Sequence, residues 1–144
     1  MKKIISVSLS VFLVFICLFS FSACKNRAAV DQSGLWENAM YLEDTALGNG
    51  SKTAVVEVKA GDKAVIFTVK TDKATVGAAL LEHNLIAGDD GQYGLYIKTV
   101  NGIKADYDTD GAYWAFYVGD EYASSGVDST NINEGLTYKL VYSK

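Results

Sequence analysis

The sequence predicts an α+β domain, a mixed β-sheet with one helix packed on one of its faces. Three observations point there. Two runs of alternating apolar residues, at 54–58 and 65–69, are joined by a short glycine-containing turn. Helix formers with apolar residues at helical spacing follow at 75–83. Further alternating runs then continue toward the end of the sequence. A hairpin, one helix and strands again make a helix-on-sheet layer and not a βαβ series.

Taken in order, residues 35–47 open with Leu35 and Trp36 and scatter Met40, Tyr41, Leu42 and Leu47 without a period that fixes their structure. Gly48-Asn49-Gly50-Ser51 is a turn or loop. In the first run Ala54, Val56 and Val58 face one way against Val55, Glu57 and Lys59. Ala60-Gly61-Asp62-Lys63 turns the chain, and Val65, Phe67 and Val69 then oppose Ile66, Thr68 and Lys70. Thr75 caps the helix, positions 76, 79, 80 and 83 form its apolar stripe, and Asn84 ends it in a left-handed conformation. Gly88-Asp89-Asp90-Gly91 reads as a solvated turn. Strands are expected at 93–100, at 113–118 with a continuation through Gly119-Asp120 to Tyr122, and at 136–142.

The first residues address the protein and do not build its fold. Lys2 and Lys3 precede an apolar stretch from Ile4 to Phe21, and Ser22-Ala23 places small residues directly before Cys24. This resembles a bacterial lipoprotein signal. The resemblance implies a signal peptide at 1–23, lipidation of Cys24, a tether at 24–34 and a domain at 35–144. A plain secretory signal and an uncleaved anchor are the alternatives, since the apolar stretch is close to the minimum for a spanning helix. Two acyl chains would hold the protein stably at the extracytoplasmic face of the cell membrane, where one is marginal. Loss of residues 1–23 lowers the basic count from 13 to 11 against 17 acidic residues, a net charge of about −6. Without a basic cluster to neutralise phosphates, nucleic acid is not an expected partner. Cys17 leaves with the signal and Cys24 is consumed by lipid, so no disulfide or thiol chemistry is expected.

Residues 93–118 hold the candidate sites. With Leu95 and Ile97 toward the helix, Tyr96 and Lys98 face away; the same alternation buries Trp114, Phe116 and Val118 and exposes Tyr113 and Tyr117. Tyr96, Tyr113 and Tyr117 are therefore expected to share the sheet face that the helix leaves bare. Tyrosine offers a large apolar ring with a polar tip, which suits a flat, partly polar small molecule. Tyr93, at the head of its run, and Trp114, which a one-residue register slip turns outward, complete the ligand-binding set. The same tyrosines fit equally the plain role of cross-strand pairs on a half-exposed sheet.

The second candidate is Asp106-Tyr107-Asp108-Thr109-Asp110-Gly111. Asp106, Asp108 and Asp110 alternate before a glycine as in the opening of an EF-hand loop, a pattern that suits Ca²⁺. The twelfth position is Tyr117 where a bidentate Glu belongs, so calcium here needs a carboxylate from elsewhere. The other reading is a solvated acidic loop between strands. Catalysis finds little support. His83, the lone histidine, sits on a mostly apolar helix, Ser124-Ser125 lacks a nucleophile-elbow context, and no glycine-rich phosphate loop precedes a helix. The expectation is a binding protein and not an enzyme.

Thr75-Val76 before Ala79-Leu80 starts a longer pattern. Tyr93-Gly94-x-Tyr96-Ile97-x-x-Val100-Asn101-Gly102 follows, then Tyr113-Trp114-x-Phe116-Tyr117, Gly126-Val127-Asp128 and a closing Gly135-x-x-Tyr138. Together they resemble the transcobalamin-like C-terminal domain, the β-grasp module of intrinsic factor and transcobalamin, also found in single-domain lipoproteins of Gram-positive bacteria. The likeness covers residues 53–144 and extends back toward Leu35. It implies a β-grasp-like mixed sheet, cobalamin or a related corrinoid as ligand, and delivery to a membrane importer of the energy-coupling-factor type. The residues themselves specify no cofactor. The eukaryotic members add a helical barrel over the other face of cobalamin, so a lone β module would hold such a ligand from one side only. The rival expectation is a calcium-stabilised structural or protein-interaction module on the cell surface.

Overall fold

A computed structural model describes residues 34–144. The signal peptide, Cys24 lipidation and tether expected from the sequence fall, up to residue 33, outside the described residues. Strands β1 (Thr45–Gly48), β2 (Lys52–Ala60) and β3 (Lys63–Thr71) lead into helix α1 (Val76–Glu82). β4 (Ile86–Gly91), β5 (Gly94–Val100) and β6 (Ile103–Lys104) come next, then a single helical turn α2 (Tyr107–Asp110). β7 (Tyr113–Val118), β8 (Glu121–Tyr122) and β9 (Thr137–Ser143) complete the chain, with 3₁₀ turns at Leu35–Asn38 and Val127–Ser129. The α+β class stands.

The β2–β3 hairpin pairs Lys52 with Thr71 through to Ala60 with Lys63 around a two-residue loop. Gly61 at its first position takes φ 62°, the left-handed backbone such a loop needs and glycine adopts without strain. Alternation does the rest. Ala54, Val56, Val58 and Ala60, and opposite them Val65, Phe67 and Val69, are all buried. β9 lies parallel to β2 in the middle of the sheet, which runs β1-β3-β2-β9-β7-β8. A strand inserted parallel to the first strand of a hairpin, after an intervening helix, is β-grasp connectivity. α1 follows its sequence signals: the Thr75 side chain accepts from Ala78 N at 3.3 Å, and Asn84 closes the helix at φ 55°.

The strand at 93–100 does not join that sheet, contrary to expectation. It becomes β5, the centre of a separate three-stranded antiparallel sheet β4-β5-β6. Gly88–Gly91 is not a solvated turn but most of β4, an outer strand exposed along nearly its whole length. The turn comes later, between Gly91 and Gly94, and carries Tyr93. Asn101 and Gly102, at φ 50° and 79°, form the two-residue turn into β6, as Asn-Gly pairs favour. The inner face of the six-stranded sheet is therefore covered jointly by α1 and by Ile86, Ile97, Val100 and Ile103 of the second sheet, in one continuous core.

The segment 35–44 is pinned to this frame at two places. Trp36 is buried and its Nε1 donates to Ala60 O at 2.9 Å. Farther on, Tyr41 N donates to Asn101 Oδ1 at 2.9 Å and Asn101 Nδ2 donates to Tyr41 O at 2.8 Å. β1 then adds to the sheet edge parallel to β3.

Candidate ligand-binding cleft

The seam where the two sheets meet opens into a cleft of about 570 Å³. Its walls come from β5 (Leu95, Tyr96, Ile97), from β7 (Tyr113, Trp114, Phe116), and from Tyr93 and the segment 122–129. β8 pairs with β7 only at Tyr117 and Val118, which leaves the earlier residues of β7 facing the second sheet across the seam. Ligand pockets commonly fall between about 300 and 1,000 Å³ and are mostly apolar with a few polar groups. Here six aromatic rings share the lining with the hydroxyls of Ser124, Ser125 and Ser129.

Of the five residues singled out as ligand-binding, Tyr93, Tyr96, Tyr113 and Trp114 line this cleft together and Tyr117 does not. The shared bare face expected for Tyr96, Tyr113 and Tyr117 does not exist, because Tyr96 belongs to the second sheet. Trp114 and Phe116 are buried as expected, but Ala115 between them is buried too, and Tyr113, Tyr117 and Val118 are all half-buried, so alternation along β7 holds only in part. Tyr117 packs edge-on against Tyr122 at 5.3 Å between centroids, a cross-strand aromatic pair. Tyr93 is 88% exposed, Tyr122 64% and Tyr96 46%, so these three rings form the open rim, and Trp114 and Phe116 form the floor. Reasoning from the sequence missed Phe116, Tyr122 and the serines of 124–129. Tyr122, one residue past a strand turn, was the available signal.

The wall at 126–129 is held by close backbone packing. Asp128 Oδ2 accepts from Leu95 N at 3.2 Å. A Cβ on Gly94, which has φ +100°, would come within 2.4 Å of that carboxylate. On the other side, a Cβ on Gly77 of α1 would meet Asp128 N at 2.8 Å and Val127 C at 2.9 Å. The turn is thus wedged between the helix and β5, and two glycines make the space.

Trp114 Nε1 is buried and has no hydrogen-bond partner among the described residues. The ring is not loosely held. It meets Tyr142 edge-on at 5.6 Å, and Phe116 stacks on Tyr138, whose hydroxyl accepts from Asn133 N and donates to Asn131 O.

The aspartate loop is different from its expectation. Residues 107–110 form the helical turn α2, and the carboxylates serve its backbone. Asp106 Oδ1 accepts from Asp108 N at 3.1 Å as the N-cap, and Asp110 Oδ1 accepts from Ala112 N at 2.9 Å. Desolvation pushes the Asp106 carboxyl up, but hydrogen bonds from Thr109 and the Asp108 backbone, with the charge of Lys98, leave it below the usual Asp value. Asp108 points to solvent. Among the described residues no three His, Cys, Asp or Glu side chains are grouped to hold a metal ion. The alternating Asp106, Asp108 and Asp110 therefore do not converge as EF-hand ligands.

Comparison with known proteins agrees with this architecture. The family described as domain of unknown function (DUF4430) matches residues 73–143. A crystal structure at 1.30 Å of a Ruminococcus gnavus ATCC 29149 protein, provisionally named a metal binding protein, is 32% identical at a TM-score of 0.61. The alignment covers 65% of this chain and 98% of that one. Haptocorrin, solved in complex with Cbi, matches at a TM-score of 0.52 and 19% identity, over 67% of this chain and 26% of its own length. The fold is transcobalamin-like. No curated protein matches. Among the described residues, no helix is long and apolar enough to cross a membrane.

Proposed function

This chain belongs to the DUF4430 family, and from that premise we propose that it is a non-enzymatic protein that takes a small, flat ligand into the aromatic cleft. One observation carries the reading: Tyr93, Tyr96, Tyr113 and Trp114 converge on a single cleft of ligand size at the seam of the two sheets. The ligand class we name is cobalamin or a related corrinoid. What supports it is the transcobalamin-like fold, together with rings that suit a flat molecule with polar edges. Lipidated at Cys24, the protein is held at the extracytoplasmic face of the cell membrane. There it passes its ligand to an importer of the energy-coupling-factor type. Tethering raises local concentration at such a partner without demanding high affinity.

Tryptophan fluorescence tests this directly, because Trp114 lines the cleft and Trp36 lies elsewhere, against Ala60. Cyanocobalamin and cobinamide are expected to quench the signal. Tyr96→Ala should weaken binding by about tenfold, the scale of one lost aromatic stacking contact. Absence of quenching at millimolar corrinoid, with the protein folded, defeats the corrinoid reading.

A second reading, a cation-stabilised surface module, is favoured by one observation, the name given to the Ruminococcus gnavus relative. A melting-temperature rise with Ca²⁺ would support it and no rise would remove it, since a ligand bound only by the native state must stabilise it.

A further inference from the structure

We propose that the cleft selects an uncharged, flat ligand bearing a carbonyl-type oxygen, and that the indole N–H of Trp114 is the donor this oxygen engages. The inference rests on the binding reading above and adds to it the ligand's charge and its polar anchor.

Charge comes first. No Asp, Glu, Lys, Arg or His side chain lines the cleft. The charges next to wall residues in the chain or across the strands are carboxylates, with one cation, Lys98, beside Ile97. Asp128 sits between the wall residues Val127 and Ser129, Asp90 lies opposite Leu95, and Glu121 precedes Tyr122. The cation on β5, Lys98, is held in an ion pair by Asp89. An anionic ligand would lose its hydration among neutral rings and meet acidic groups at the rim, with no free counter-charge to receive it.

The anchor comes second. The chain's other tryptophan satisfies its indole, Trp36 Nε1 donating to Ala60 O. Trp114 Nε1 has no such acceptor, although the residue is more than nine-tenths buried. Buried donors left unpaired are rare in native proteins and call for a reason. Trp114 is also the buried floor of the cleft, and an oxygen carried by a ligand is the acceptor that satisfies it. A cation lacks that acceptor, so the donor turns selection from cations toward neutral, oxygen-bearing molecules. Nε1 is shielded in the free protein, so the oxygen reaches it as covering side chains part.

The test uses matched pairs that differ in charge and little else: nicotinamide with nicotinate, riboflavin with riboflavin 5′-phosphate, and cyanocobalamin with one of its monocarboxylic acids. The full-length ¹⁵N-labelled protein in detergent micelles is titrated with each, and the two indole N–H resonances are assigned with Trp36→Phe and Trp114→Phe. Neutral members are expected to move the Trp114 indole resonance downfield and leave that of Trp36 in place. Their charged partners should bind about tenfold more weakly or not at all. Trp114→Phe should weaken the neutral ligand by about fivefold, the scale of one hydrogen bond. Equal or tighter binding of the charged partners overturns the charge selection while leaving the cleft as a binding site. Binding that leaves the Trp114 indole resonance unmoved, or that Trp114→Phe does not weaken, overturns the donor assignment. Should Trp114→Phe not fold, the wild-type resonance decides that point alone. No response of cleft resonances to any of the six compounds overturns this inference and the binding reading together.

Discussion

Replacing Asn101 should be among the most damaging single changes in the domain, although the residue sits in a turn. Asn101 is fully buried, stands at φ 50°, and exchanges two hydrogen bonds with the backbone of Tyr41 across 60 positions of sequence. Its own N–H reaches Leu85 O at 2.7 Å and its carbonyl accepts from Met40 N at 3.0 Å. Asn101→Ala keeps the backbone bonds and loses both side-chain ones, each worth about 1 kcal/mol net. A non-glycine, non-asparagine residue held in the left-handed region adds about 1 kcal/mol of strain. The loss is therefore about 3 kcal/mol. In urea, with an m-value near 1.5 kcal/mol per molar, that moves the midpoint down by about 2 M. Asn101→Asp is the sharper probe. It retains the acceptor for Tyr41 N but sets a buried carboxylate against Tyr41 O, which raises the carboxyl's native pKa above its unfolded value. Such a carboxyl penalises the native state at pH 7 and stops doing so as pH falls below the native pKa, when its O–H can donate to Tyr41 O. The loss relative to wild type should therefore be larger at pH 7 than at pH 4. A cost below about 1 kcal/mol for Asn101→Ala, or a pH-independent cost for Asn101→Asp, would refute the view that this side chain ties residues 35–44 to the second sheet.

Gly77→Ala pits helix propensity, a gain of about 1 kcal/mol, against overlap with the backbone of Asp128 and Val127 inside 3.0 Å. Backbone cannot swing away as a side-chain tip can, so thermal melts should show net destabilisation, by about 1–2 kcal/mol. At the acid end, hydrogen bonds from the backbone and hydroxyl of Ser51 hold the Asp72 carboxyl below its ordinary 3.8, and Lys139 does the same for Asp120. A lowered native pKa gives stability that is present above 3.8 and lost as pH falls through the native value. Asp72→Asn should accordingly shallow the fall in melting temperature between pH 4 and pH 2, modestly, because the group is exposed.

The sequence revealed most where side-chain period and turn chemistry agree. Val56, Val58, Val65, Phe67 and Val69 alternate about Gly61, and the hairpin forms as they indicate. Thr75 and Asn84 mark the helix ends, and Asn101-Gly102 marks a turn, because each acts through its own backbone. β4 was illegible for a physical reason. Exposed after Ile86, it has no alternation, and its Gly88-Asp89-Asp90-Gly91 composition is that of a turn. Gly88 serves close strand approach instead, since a Cβ there would lie 1.9 Å from Tyr96 O. The Asp106–Gly111 pattern fits a calcium loop and a capped helical turn equally well. What separates them is Gly111 at φ 71°, closing the turn as a helix-ending glycine does. No local pattern encodes that choice.

The cleft was half legible, and the missing half follows from topology. Alternation correctly buried Trp114 and Phe116, but only the assignment of β5 to its own sheet brings Tyr96 to the Trp114 side of the seam. A site on one sheet face would inherit its rigidity from the strand ladder. A site at a seam depends on whatever locks the two sheets, here the turn at 126–129 wedged against Gly77 and Gly94, with Asp128 accepting from Leu95 N. The floor is thus preorganised, and the exposed rings of Tyr93, Tyr96 and Tyr122 are the parts a ligand must immobilise. Ordering each such side chain costs about 0.5–1.5 kcal/mol. Changes at the seam should therefore alter affinity without touching a single ring of the cleft.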